Sequence, residues 1–199
     1  MCHSQTMTVW EEAKSDGKVW AVAVDEPGDH RHSLIPDAED SAHDNARKNG
    51  LWGAMMAGAW GTEWYFGYEH PHSDLTCQDF RSRDLFWDQG KICLDFFNNN
   101  KIPVWEMESD DALISSEGDF VFAKPGAIYV VYLKNGGETS LDLGNSSNEF
   151  DVSWYNPRKG GALQKGKVKS ISGAGKHSLG LPPLKKERTN DWVVLLTKK

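Results

Sequence analysis

The sequence has 199 residues, with 22 Lys and Arg against 29 Asp and Glu, a formal net charge of −7 and 39% hydrophobic residues. This composition is ordinary for one or two globular domains. No apolar run approaches the roughly 20 residues of a membrane span, and the scattered lysines of an acidic chain do not form the basic surface that binds phosphate backbones. Neither a membrane nor a nucleic acid is therefore an expected partner.

The cysteines and aromatic residues narrow the class further. Cys2, Cys77 and Cys93 are an odd number at wide spacing, which predicts neither a disulfide framework nor a zinc site. We expect no metal and no cofactor.

The unusual feature of the composition is its content of nine Trp, eight Phe and five Tyr. Such rings fill cores, but they also form flat surfaces for sugars or Pro-rich ligands, so both uses stay open at this point.

Up to about Ser115, short apolar runs alternate with segments of helical periodicity. The predicted elements are, in chain order, a strand at residues 19–24, a helix at 44–58, a strand at 62–68 and a helix at 85–97. The first strand is continuously apolar, as is typical of a parallel strand buried on both faces. Gly58 is expected to end the first helix and Asn98 the second. This alternation predicts a β/α architecture.

Two strand–helix units cannot close a barrel or complete an open sheet, because strands buried on both faces need neighbours. We therefore expect the chain to be truncated at its N-terminus. Trp20, Val22 and Trp64 are then expected to belong to strands with exposed apolar surface that the missing neighbours cover.

The second region consists of short alternating runs separated by Gly, Asn and Pro. Seven strands are predicted, at residues 119–123, 127–134, 139–144, 149–156, 163–172, 177–181 and 192–197. Hairpin turns are predicted at residues 134–137 and 156–158. Because one face of each strand is apolar, we expect a small antiparallel β-sandwich.

Two sets of residues carry a resemblance to known families. The strings GLW (50–52), EWYFGY (63–68) and RSRD (81–84) resemble the closing units of an apiosidase-like (β/α)8 glycoside hydrolase barrel. The strings WYNPR (154–158) and DWVVLL (191–196) resemble the collagen-binding domain of a collagenase, which commonly follows such barrels. The resemblance implies a fold of α/β plus all-β type. The last two βα units of a truncated barrel would occupy residues 1–114, and the β-sandwich would occupy residues 115–199.

Carboxylates follow the first predicted strand directly. Barrel enzymes place catalytic groups at the C-terminal ends of strands, and Asp25 and Glu26 occupy such a position. In the resembled hydrolases a Glu after the seventh strand is the nucleophile, and Glu26 is the matching residue. The resemblance also implies that the acid/base partner comes from an earlier strand, so the chain by itself is expected to be inactive. The alternative is that Asp25 and Glu26 only begin a solvated loop.

Other candidate substrate contacts lie on and after the second predicted strand. Trp64 or Tyr68 could stack on a sugar ring while Glu63 accepts hydrogen bonds from hydroxyl groups; alternatively the rings fill the core. His70 and His72 are spaced two apart, as are His30 and His32, but without a third ligand at a defined spacing the metal signal is weak, and we expect pocket-lining or hydrogen-bonding roles.

Two further clusters have structural interpretations. Arg81, Arg83, Asp84 and Asp88 alternate in charge around a helix start and predict a salt-bridged entrance. On an extended strand Trp154 and Tyr155 face opposite sides, so one of them is expected to be a ligand platform or to pack on the neighbouring domain.

Three classes of function remain at this point. The chain is the C-terminal part of a glycosidase acting on a poly- or oligosaccharide, with the sandwich as support. Alternatively it is a carbohydrate- or collagen-binding module whose partner is an extracellular matrix or cell-wall polymer, or the sandwich is a passive buttress. For the full-length parent the resemblance implies a secreted or periplasmic location.

Overall fold

The computed structural model describes residues 2–31, 33–76 and 79–199. The chain combines helices with antiparallel sheets, and the strands are concentrated in its C-terminal region. It divides into two compact units, Met1–Cys93 and Leu94–Lys199. Within the described ranges, no helix has the length and apolar character needed to span a membrane.

The first unit begins with a helix that the sequence pattern did not indicate. Helix α1 spans Cys2–Ser15, and its buried residues are His3, Thr6 and Ala13. Because two of these are polar and the third is small, the buried face has no large apolar side chains at helical spacing. The ring of His3 is nevertheless fixed, since its Nδ1 lies 2.8 Å from the carbonyl oxygen of Gly53.

The helix predicted at residues 44–58 is present, with one irregularity. A π-helical segment, Ala46–Leu51, leads into helix α2, Trp52–Met56. Gly58 has a φ of 84° and follows the helix end, as predicted. Gly50 lies in the π segment, and a Cβ there would stand 2.4 Å from Cη2 of Trp64. Because Gly50 has no side chain, the Trp64 ring can pack against the π-helical segment.

The next helix of the chain follows a 3-10 turn. The turn spans Phe80–Arg83, and helix α3 spans Asp84–Asn99, which includes the predicted range of 85–97. The side chain of Asp79 caps the 3-10 turn by accepting a hydrogen bond from the backbone N–H of Arg81.

The two predicted parallel strands are reduced to extended segments joined at one bridge. Val24 and Thr62 form a parallel bridge. On either side of it, the N–H of Trp60 donates to the carbonyl of Val22 at 2.8 Å, and the N–H of Glu63 donates to the carbonyl of Val24 at 2.9 Å. The direction of pairing is as predicted, but the regular ladder is absent.

Exposed apolar surface was predicted for this segment at Trp20 and Val22, and it is present at Trp20 but not at Val22. Val19 is 91% exposed and Trp20 is 52% exposed, whereas Val22 is buried. Among the described residues no strand other than the one at Thr62 pairs with this segment. Its outer edge therefore stays open.

The second unit contains two antiparallel sheets. All seven predicted strands occur, and a two-residue strand precedes them. The strands are β1 Glu108–Ser109, β2 Phe120–Lys124, β3 Ile128–Leu133, β4 Thr139–Asp142, β5 Glu149–Tyr155, β6 Ser170–Ser172, β7 Lys176–Gly180 and β8 Trp192–Lys198. One sheet has the order β1-β2-β3-β8-β5-β6, and the other pairs β4 with β7.

The strand predicted at residues 163–172 is shorter in the structure, because only an isolated bridge at Gln164 precedes β6. Short 3-10 turns, Val104–Glu106, Asp111–Leu113 and Lys185–Glu187, lie in the connections.

The two sheets share one hydrophobic cluster. The large sheet contributes alternate residues such as Val131, Trp154 and Val194, and the small sheet contributes Leu141 and Leu179. Since alternate residues of a strand face the same side, the period-2 pattern in the sequence decides which face is buried in this cluster.

The opposite face of the large sheet is buried as well. Tyr155 is 3% exposed, and its ring lies 4.9 Å from the ring of Phe96, between ring centroids. Trp154 and Tyr155 thus face opposite sides of the sheet, as predicted. Tyr155 is a packing residue rather than an exposed platform.

Candidate functional site

The ends of the two paired segments bring carboxylates together. Val24 is in register with Thr62, so Asp25 is next to Glu63 in the same parallel register. Both side chains are exposed, as is that of Glu26. Because neighbouring residues in register on parallel strands face the same side, Asp25 and Glu63 are expected to share one face.

Glu26 lies where the extended segment ends. Its φ of 49° places it in the left-handed region, which is uncommon for a residue other than glycine. The chain therefore turns at Glu26, and the alternation that applies up to Asp25 does not fix the direction of its carboxylate. The following loop is anchored by the hydroxyl of Ser33, which donates to the carbonyl of Pro27 at 2.9 Å.

Trp64 is held mainly by packing. Its ring lies 4.5 Å from that of Phe86 in an edge-on arrangement, and its Nε1 donates to Oγ1 of Thr62 at 2.9 Å. The Trp64 ring is partly exposed, and together with Pro27 and Gly50 it lines a cavity. Trp64 and Glu63 are consecutive in an extended segment, so the two side chains leave on opposite sides.

Tyr68, His70 and His72 lie in the loop that follows. Tyr68 is 45% exposed, with its ring 5.4 Å from that of His30. His70 Nδ1 lies 3.4 Å from Oε2 of Glu39. His72 has a φ of 56°, and its carbonyl accepts a hydrogen bond from Arg83. The contact of His70 is made by its ring, whereas that of His72 is made by its backbone carbonyl.

No grouping of metal-binding side chains supports a metal site. Among the described residues, no three His, Cys, Asp or Glu side chains are placed to hold an ion. His32 and Cys77, which the sequence analysis considered, lie outside the described residues. Burial raises the pKa of the Cys93 thiol, which is fully buried, so Cys93 is not a nucleophile at neutral pH.

Arg83 ties the loops of the first unit together. It is fully buried, and it donates from Nε to the carbonyl of Leu34 at 3.0 Å and from Nη1 to the carbonyl of Pro71 at 3.1 Å. Its guanidinium lies 4.2 Å from the ring centroid of Phe66. The two arginines at the predicted salt-bridged helix start therefore have different environments. Arg81 forms an exposed ion pair with Asp79, whereas Arg83 is buried.

Sequence reasoning missed a buried histidine. His43 is 1% exposed and has a φ of 46°. Its Nε2 lies 2.7 Å from Oδ1 of Asp37, and its backbone N–H donates to Oδ1 of Asp40 at 3.0 Å. Its ring is 5.5 Å from that of Phe86. No spacing motif marks this residue, because its partners lie three and six positions earlier in an irregular loop.

The basic and aromatic cluster of the second unit forms a closed network. Arg158 Nη2 lies 2.8 Å from Glu187 Oε2, and Arg158 Nε lies 3.2 Å from Oδ1 of Asp191. Asp191 is fully buried and accepts a hydrogen bond from the Tyr132 hydroxyl at 2.8 Å. The WYNPR and DWVVLL strings thus meet in one network, which points to a structural role for Arg158.

Comparison with known proteins gives a family match for the C-terminal part of the chain. Residues 110–197 match the family model described as "Putative collagen-binding domain of a collagenase". No curated protein matches the chain.

Two solved structures resemble the chain in fold. One, named "Glycoside hydrolase", is 14% identical with a TM-score of 0.59, and the match covers 83% of this chain and 40% of that one. The other is a glycoside hydrolase family 5 structure from Bacteroides vulgatus ATCC 8482, also 14% identical, with a TM-score of 0.65 and coverage of 96% and 44%. The chain thus spans less than half the length of these structures, and the likeness concerns the fold alone.

Proposed function

We propose that this chain is part of a carbohydrate-active protein of the glycoside hydrolase type. In this proposal the first unit supplies the last two βα units of a (β/α)8 barrel. The observation that carries it is the parallel pairing of Val24 with Thr62, directly followed on each segment by exposed carboxylates. Catalytic groups of barrel enzymes occupy this position, and the glycoside hydrolase neighbours support the choice of class.

We propose Glu26 as the nucleophile of the intact enzyme. Its carboxylate attacks the anomeric carbon of the substrate, and the bond from that carbon to the leaving oxygen breaks. The leaving oxygen takes a proton from a second carboxyl group elsewhere in the barrel. Water, deprotonated by that same group, then hydrolyses the glycosyl ester and releases Glu26.

Around this nucleophile, Glu63, Trp64, Tyr68, His70 and His72 are proposed substrate contacts. Glu63 is the strongest of them, because its carboxylate is exposed directly after the bridge of Val24 with Thr62. Trp64 is the weakest, because most of its ring packs on Phe86 and Gly50.

The test replaces Glu26 by Gln in the full-length gene product and measures hydrolysis of a panel of aryl glycosides. Glu26→Gln should remove nearly all turnover while the melting temperature is unchanged, because the side chain is exposed. Asp25→Asn is the matched control and should keep most activity. Turnover within a few-fold of the parent in Glu26→Gln, with a large loss in Glu63→Gln, would move the nucleophile to Glu63.

We further propose two domains, residues 1–114 and 115–199, with the second as a support for the barrel. The family match from residue 110 supports a boundary near this position, whereas the compact units divide between Cys93 and Leu94, and β1 Glu108–Ser109 already pairs with β2. The buried network around Arg158 and Asp191 fits a supporting role, since its charged groups bind one another rather than facing an open surface.

A binding module without catalysis is the second candidate. The description of the matching family favours it, and Trp105, which is 70% exposed, is a possible contact for an extracellular matrix or cell-wall polymer. Co-sedimentation of the chain with fibrillar collagen and with insoluble cell-wall polysaccharide tests it. Retention that is lost in Trp105→Ala would support this candidate, and no retention on either polymer would contradict it.

A further inference from the structure

The first unit contains a cavity of about 470 Å³, and Trp64 is the one proposed substrate contact among its lining residues. Its wall combines the start of α1, the loop after Glu26, the π-helical segment and the Trp64 ring. The polar side chains among the lining residues are Cys2, Ser33, Asp40, His43, Asn45 and Asn49. The volume lies within the range of small-molecule pockets in proteins.

His43 is the most constrained side chain of this cavity. It is held at its ring by Asp37, at its backbone by Asp40 and at its ring edge by Phe86. A buried residue with positive φ costs conformational free energy and persists only where its surroundings fix it. Such positions cluster at binding and catalytic sites.

The hydrogen bond to Asp37 fixes the orientation of the His43 ring. Asp37 Oδ2 already accepts from the backbone N–H of Leu85 at 3.0 Å, and Oδ1 lies 2.7 Å from Nε2 of His43. A carboxylate accepts hydrogen bonds, so Nε2 carries the proton of this contact. The position of the other ring nitrogen, Nδ1, is thereby fixed as well.

Within the extended segment at residues 62–64, the cavity lies on the side of Trp64, which is opposite that of Glu63. Trp64 lines it and packs against Gly50 and Phe86, whereas Glu63, the preceding residue, is exposed. Because consecutive side chains of an extended segment alternate, a ligand against Trp64 is separated from Glu63 by the backbone.

The lining chemistry selects a neutral polyhydroxylated ligand. The lining residues include no Lys or Arg, which disfavours a phosphate or a uronate. Asn49 donates from Nδ2 to Oδ1 of Asn45 at 2.8 Å, so the Asn45 amide N–H groups and Asn49 Oδ1 are the groups proposed to meet sugar hydroxyls. Trp64 supplies an aromatic surface. We propose that this cavity is a second saccharide site, which binds one neutral sugar residue with His43 Nδ1 accepting from a hydroxyl group. The choice of sugar as ligand rests on the proposed function, but the site does not depend on catalysis.

Isothermal titration calorimetry of the 199-residue chain with glucose, galactose, xylose and arabinose tests this proposal. At least one sugar should bind with a dissociation constant on the order of 1 mM. Ala46→Leu, which fills the cavity without touching His43, should weaken binding about 10-fold or more. His43→Gln should do the same, because Gln keeps a donor to Asp37 but loses the Nδ1 acceptor.

One control tests the specificity of these substitutions. Ala38→Leu, at an exposed position outside the cavity lining, should leave the affinity unchanged. Failure of all four sugars to bind at up to about 50 mM would overturn the proposal. Binding that survives both Ala46→Leu and His43→Gln would overturn it too. Binding that is lost instead in Glu26→Gln or Glu63→Gln would assign the sugar to the strand ends and leave the proposed function standing.

Discussion

The two units are stabilised by different kinds of contact. In the unit Leu94–Lys199 a regular ladder of six strands and a fifteen-residue buried apolar cluster supply the framework. In the unit Met1–Cys93 much of the chain between helices is irregular, and buried polar side chains such as His43, Arg47 and Arg83 fix the loops. Loops held by a few specific hydrogen bonds carry chemistry more often than a uniform apolar core does, which places the candidate sites in the first unit.

This difference predicts which substitutions each unit tolerates. Apolar truncation should damage the second unit most, whereas loss of single hydrogen-bonding groups should damage the first.

The largest effect is expected for Trp154→Ala. The side chain is fully buried in the shared cluster and its ring lies 6.2 Å from that of Trp192, so removing it leaves a large cavity. The free energy of unfolding measured with urea should fall by about 3–5 kcal/mol. Trp105→Ala, at a position 70% exposed, is the matched control and should change it by less than about 0.5 kcal/mol. Equal effects of the two variants would contradict the assigned core.

A smaller loss is expected for Arg83→Leu in the first unit. The substitution leaves the buried carbonyl group of Leu34 and the less buried carbonyl group of Pro71 without this donor, which should cost about 1–3 kcal/mol. Arg81→Leu removes an exposed ion pair with Asp79 and should cost less than about 1 kcal/mol. Thermal denaturation of the two variants side by side checks the order, and a larger loss for Arg81→Leu would refute the anchoring role of Arg83.

Two glycines of the first unit should respond in opposite directions. Gly50→Ala forces a methyl group against the Trp64 ring and should destabilise by about 1–3 kcal/mol. Gly90→Ala lies within α3 with no atom near the added methyl group, so it should stabilise by about 0.5–1 kcal/mol. Melting temperatures that move in the same direction would show that the contact between Trp64 and the helix is not as described.

The smallest effect concerns pH and Asp119. Desolvation raises the pKa of this buried carboxyl, although the backbone N–H of Lys134 donates to it at 2.8 Å. With a raised pKa the folded state binds the proton more tightly than the unfolded state, so the stability contributed by Asp119 falls as pH rises from about 4 through the folded pKa. Asp119→Asn should lose this pH-dependent contribution to stability. The contribution is measured as the difference in unfolding free energy between the wild type and Asp119→Asn at a series of pH values from about 4 upwards. A difference that grows in favour of the wild type with rising pH would contradict the sign.

The second unit was the more predictable from sequence. Along its strands, side chains that face the shared cluster alternate with side chains that face the other way. This local pattern predicts core residues such as Val131 and Trp154 from the sequence. Helix α3 was equally clear, because its apolar residues recur at helical spacing.

Much of the first unit depends on contacts that no local pattern shows. Helix α1 buries His3 and Thr6, and His43 depends on Asp37 and Asp40 in an irregular loop. The carboxylates after the first strand were predictable in position, but the turn at Glu26 was not, because its positive φ has no sequence signal in a non-glycine residue.

Trapping of the glycosyl-enzyme tests the central proposal most directly. The full-length gene product is incubated with a panel of 2-fluoro-substituted activated glycosides, digested, and analysed by mass spectrometry for a peptide that gains the mass of the sugar. The proposal predicts a single labelled peptide, with the sugar esterified to Glu26 and no label in Glu26→Gln. A label on Glu63, or turnover of these glycosides without any covalent adduct, would contradict it.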